Sequence, residues 1–146
     1  MKKHLLVLGA ALLANASHAM YYGPILTVTK SPGFTLPEYR MGTQCGIYPD
    51  KLEMKRFLGD KLRSVEVRNV KIDFAGVSEM IDKAAQGPVK QVLGPTDVPI
   101  TTYTAIQIGP LDHPIKTVLS TNGPQGQVID SREAKSLINF IDMHCN

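Results

Sequence analysis

Hydrophobic and polar residues alternate from Ile25 to Lys30 (ILTVTK), the period of a strand with one buried side. Ser31 to Pro37 is a turn-rich connector, and the alternation resumes at about 39–48, 51–58 and 62–73. Tyr48-Pro49-Asp50-Lys51 and Leu58-Gly59-Asp60-Lys61 are turn signals between these runs. If both loops hold two residues, position 45 faces 54 and 47 faces 52, while 54 faces 65 and 52 faces 67. One face of this meander then reads Cys45, Ile47, Leu52, Met54, Val65 and Val67. The other reads Gln44, Lys51, Glu53, Lys55, Glu66 and Arg68. The register has one poor feature: it sets Arg56 opposite Arg63, and like charges across a ladder repel. The last strand also changes phase between Val67 and Val70, which predicts a bulge near Arg68-Asn69.

The period then lengthens. Val77, Met80, Ile81, Ala84 and Ala85 follow helical spacing, and Gly87-Pro88 ends the run. Residues 87–99 (GPVKQVLGPTDVP) show no convincing element. Strands are predicted at 100–108 and 115–121, joined by a loop at 109–114. Asn122 to Gly126 is a turn cluster. Asp130 with Glu133 resembles a capping box, and Ala134, Leu137, Ile138, Ile141 and Cys145 form a helical stripe over about 131–144. The order ββββαββα predicts an α+β fold: a mainly antiparallel sheet of about six strands with two helices on one face. No internal repeat or low-complexity tract interrupts it.

The first nineteen residues read differently. Lys2 and Lys3, the nine-residue apolar run Leu5–Leu13 and Ser17-His18-Ala19 match a cleavable export signal. The apolar run is far shorter than the roughly 20 residues that span a bilayer core. Cleavage after Ala19 leaves 20–146 as a single domain with no membrane-spanning segment. It also removes two lysines and no acid, so the formal charge of +3 falls by two, to +1. A near-neutral chain offers no electrostatic basis for binding nucleic acid.

Export changes the meaning of the two cysteines, Cys45 and Cys145. A pair in an oxidising compartment is expected to be bonded, and each lies on an apolar face by a separate argument. The last helix would lay its stripe on the sheet and bring Cys145 to Cys45.

The remaining chemistry is sparse. His113 and His144 are the histidines after the leader; no close-spaced His or Cys pair is present, and no metal or cofactor is expected. Ser120, Ser131 and Ser136 lack a nucleophile elbow, and Asp112-His113 sits in a Gly/Pro-rich loop where an exposed turn is the simpler reading. Asp97 and Asp112 are loop acids of the kind that cap their own backbone. Asn122–Gly126 departs from any phosphate-loop pattern, with Pro124 between its glycines. Residues 51–71 carry seven Lys/Arg against Glu53, Asp60 and Glu66, a strip read as a solvated face that discourages edge pairing. The loop Gly94, Pro95, Thr96, Asp97, closed by Pro99, is stiffened by its prolines and is the candidate recognition loop.

These observations predict a small exported, disulfide-stapled, non-catalytic binding module with a protein partner, a protease inhibitor being one concrete form. No catalytic residues are assigned. The alternatives are a small hydrolase joining His113 with Asp97 or Asp112, and an envelope structural subunit that pairs through the edge of the 25–30 strand. A periplasmic and a secreted destination both fit the leader.

Overall fold

The computed structural model describes residues 21–33 and 36–146; the leader lies outside the described residues. The elements are β1 (Leu26–Ser31), β2 (Met41–Ile47), β3 (Lys51–Leu58), β4 (Lys61–Asn69), α1 (Phe74–Ala85), β5 (Val89–Val92), β6 (Ile100–Ile108), β7 (Pro114–Thr121), β8 (Gly126–Ile129) and α2 (Arg132–Cys145). All eight strands join one antiparallel sheet in the order β4-β3-β2-β1-β6-β7-β8-β5. The α+β class holds, with eight strands in place of about six. The two additions, β5 and β8, have four residues each and pair with one another, too short for alternation to announce them. β1 lies between β2 and β6 and presents no free edge, which removes the edge-pairing role expected of the 25–30 strand.

The first hairpin has the expected register, with Cys45 opposite Met54 and Ile47 opposite Leu52. The second does not. Gly59, at φ 58°, makes the two-residue turn and sets Leu58 opposite Lys61 and Phe57 opposite Leu62. The ladder then slips by one residue: Arg56 pairs with Ser64, leaving Arg63 as the extra residue of a bulge. The bulge separates Arg56 from Arg63, relieving the like-charge contact that the simple register imposes. It also turns Val65 and Val67 to the face of Lys55 and Glu53, while Glu66 and Arg68 join the face of Met54 and Leu52. The two pairs therefore exchange faces relative to the sequence expectation. The phase change needs no bulge at Arg68-Asn69, because β4 ends at Asn69.

Both helices pack on one side of the sheet. Tyr103 and Gln107 share a face of β6; the Tyr103 hydroxyl donates to Asp142 of α2 (2.8 Å) and the Gln107 amide donates to Asp82 of α1 (2.7 Å). Burial, with the Asp142 carboxylate beside it, pushes the Tyr103 phenol up to about 12. α1 buries Val77, Ile81 and Ala84, and Asp73 caps it by accepting from the Gly76 amide. α2 buries Ala134, Leu137, Ile141 and Cys145. Its cap is Ser131, whose Oγ accepts from the Ala134 amide at 3.1 Å. Asp130 is not the cap expected from the capping-box pattern; it binds Lys90 and Lys135. Leu26, Ile47, Leu52 and Leu119 complete the core from the sheet side.

Cys45 and Cys145 form a disulfide with Cα atoms 5.9 Å apart, joining positions 100 residues apart in the chain. The opposite face of the sheet is polar at its centre. Thr27 and Thr104 are buried there and hydrogen-bond each other, and Thr102 meets Thr121 at 3.0 Å. Among the described residues no buried side-chain polar atom lacks a partner.

Candidate functional site

β5 occupies 89–92, so the stretch without structure shrinks to residues 93–99. Pro95, Thr96 and Asp97 form its exposed tip. Leu93, at its root, is 85% exposed, and Val92 and Ile100 add further apolar surface beside it.

The loop is held from three sides. Gly94 donates its amide to the Gly123 carbonyl at 2.9 Å. A Cβ at position 94 would stand 2.8 Å from that carbonyl oxygen, so only glycine allows the approach. Asn122 clamps the far end: its Oδ1 accepts from the Thr101 amide and its Nδ2 donates to the Pro99 carbonyl at 3.0 Å. On the third side a Cβ at Gly33 would meet the Asp97 carbonyl at 2.9 Å, so the connector after β1 backs directly onto the tip. Within the tip the Thr96 hydroxyl donates to the Asp97 carboxylate at 3.3 Å. A shallow hollow of about 320 Å³ lined by Ile100, Thr121, Asn122, Pro124 and Gln125 lies alongside.

Asn122–Gly126 is a turn, as its composition implied, and it supplies the brace of the neighbouring loop. The Asn-Gly pair carried a signal for the turn but none for the contact with Gly94, which is made only once β5 and β8 pair. Leu93 was also missed, since a single apolar residue before a glycine has no periodicity.

The other chemical candidates are spread across the molecule. Asp97 precedes β6 and His113 follows it, and the nine residues of β6 extend about 30 Å, so the two are not brought together. Asp112 and His113 remain neighbours in a tight turn, closed by the Gly109 amide donating to the His113 carbonyl at 2.8 Å. Leu111 and Asp112 in that turn have φ of 61° and 57°. His144 lies in the last turn of α2, its Nδ1 2.8 Å from the Phe140 carbonyl, beside a cysteine already committed to the disulfide. Among the described residues no group of His, Cys, Asp and Glu converges as a metal site, and no helix is long and apolar enough to cross a membrane. No known family model, curated protein or solved structure matches the chain.

Proposed function

We propose that the protein is an exported, non-catalytic binding module that grips a partner protein through the loop 93–99. The bracing of the Pro95-Thr96-Asp97 tip carries this reading. A segment held by Gly94 on Gly123, by Asn122 and by Gly33 has little freedom left to lose when it is gripped. The exposed Leu93 beside it offers an apolar anchor of the kind that sits at the centre of protein interfaces. The concrete form we favour is inhibition of a protease, in which a stiff convex loop enters a cleft and resists rearrangement. Export through a cleaved leader at 1–19 supplies the oxidising surroundings that the Cys45–Cys145 bond requires.

The test is a loop exchange in the mature protein. Pro95→Gly, Thr96→Ser and Asp97→Ser together should abolish partner capture from native envelope and medium, and any protease inhibition, while the melting temperature stays within a few degrees. Capture of the same partner with undiminished strength by the loop variant would reject the assignment.

A further inference from the structure

We propose that the open edge of β4 takes up an extended acidic segment of a partner protein as an added strand. β4 is a terminal strand of the sheet, and all nine of its residues are exposed. Its main chain is aimed for pairing. The Val70 amide donates to the Asp50 carbonyl at 3.1 Å, on the β3 side. Main-chain groups alternate sides along a strand. Residues 64, 66 and 68 therefore bond to β3, and residues 65, 67 and 69 present their N–H and C=O groups to solvent. Beyond the bulge at Arg63 the ladder is regular, giving a run from Ser64 to Asn69 about 20 Å long.

The side chains define what fits. On the helix-free face Val65 and Val67 are 47% and 53% exposed, an apolar strip for alternate residues of the incoming strand. On the other face the cross-strand row Lys30, Thr43, Arg56, Ser64 runs from β1 to β4. α2 ends at Cys145, whose bond to Cys45 fixes it one row short of this line. Lys30, Arg56 and Arg68 consequently rim a cleft of about 360 Å³ floored by Val28, Met54 and the disulfide, with no Asp or Glu side chain in its lining. Lys30 is engaged by Asn146 and Arg68 by Glu66, whereas Arg56 makes no hydrogen bond or ion pair among the described residues. Ser64 is small and leaves Arg56 open toward the edge. An added strand lies two strand spacings, about 9.6 Å, from β3, a gap that glutamate and arginine side chains bridge together.

The complementary segment thus sets apolar residues on Val65 and Val67, acids opposite Ser64 and Arg68 where they reach Arg56 and Arg68, and an uncharged residue opposite Glu66, which shares that face. A second copy of β4 is a poorer match, since it brings Lys61, Arg63 and Arg68 to the same cationic rim. This edge is at the opposite side of the sheet from β5 and the loop 93–99, so the inference stands independently of the loop assignment.

The experiment titrates the mature protein with two synthetic heptapeptides, Val-Glu-Val-Gln-Val-Glu-Val, whose central glutamine falls opposite Glu66, and the same sequence with lysine in place of each glutamate. Binding is followed by calorimetry and amide NMR. The glutamate peptide should bind, shift signals over 64–69 and newly protect the amides of Val65, Val67 and Asn69; the lysine peptide should not bind. Val67→Pro removes only an outward N–H, so the fold should persist and affinity should fall at least about tenfold. Arg56→Gln leaves the backbone intact and should weaken binding about tenfold. Equal binding of both peptides, or unchanged affinity in both variants, would overturn the proposal. So would a concentration-dependent dimer in sedimentation that Val67→Pro dissolves, since the edge would then belong to a second copy.

Discussion

The two edges of the sheet are built on opposite principles. β4 has nine residues, no helix over it, and a place set by a two-residue turn and one ladder with β3. β5 has four residues, and its place is set by contacts around it: pairing with β8, ion pairing of Lys90 with Asp130, and the seat of Gly94 on Gly123. The long edge is held by backbone geometry and leaves its side chains unconstrained. The short edge is held by close approach and tolerates little change in shape. This contrast explains why the two candidate surfaces differ in kind, an open ladder on one side and a stiff loop on the other.

α2 connects the two edges. It begins just after β8, beside β5, and its last residue is bonded to β2, two strands in from β4. Breaking this connection should have the largest effect. Replacing Cys45 and Cys145 with alanine removes a closure over 100 residues, and chain-entropy reasoning puts the loss at up to about 4–5 kcal/mol in urea denaturation. Hydrogen exchange would sharpen the comparison: amides in β2–β4 should accelerate more than those in β5–β8. Uniform acceleration would mean the two sides are one cooperative unit.

The next effect belongs to the short edge. Gly94→Ala drives a methyl against the Gly123 carbonyl, 2.8 Å from where its Cβ would stand, and should cost about 1–3 kcal/mol by chemical denaturation. On the long edge Val65→Ile, which likewise adds one carbon, should stay within about 0.5 kcal/mol because the side chain is exposed. Equal losses at the two positions would erase the distinction between an edge held by shape and one held by its ladder.

The same distinction governs what the sequence could reveal. Alternation and turn residues located β1–β4, β6, β7 and both helices, and the two apolar faces led correctly to the disulfide between Cys45 and Cys145. The register of β4 was lost by one residue because a bulge carries no hydrophobic signature. Its signal was electrostatic: Arg56 opposite Arg63 was an unfavourable pair, and the chain removes it by slipping. β5 and β8 were illegible because four residues cannot establish a period, and because what holds them is the contact of residues distant in sequence. The loop tip Pro95-Thr96-Asp97 was visible through its prolines, whereas its brace of Gly33, Asn122 and Gly123 depends on tertiary approach.

The smallest expected effect lies at the root of the short edge. Hydrogen bonds from Lys135 and then Lys90 hold the Asp130 carboxyl at about 2, below its ordinary 3.8. A carboxyl depressed in the folded state contributes stability that is complete above the unfolded value, near pH 4, and disappears as pH falls through about 2. Between those limits the unfolded chain takes up its proton first, so acidification favours unfolding. The group is exposed and salt screens it, so the contribution should be modest and should shrink further in molar salt. Melting temperature measured against pH should therefore fall less steeply from pH 4 to 2 in Asp130→Asn than in the parent protein. Lys90→Gln should reproduce part of that flattening and also speed amide exchange in β5, because it breaks the tie between that strand and the start of α2. If Asp130→Asn and the parent lose stability in parallel across this window, the ion pairs do not fasten β5, and its position rests on the β8 ladder and the Gly94 contact alone.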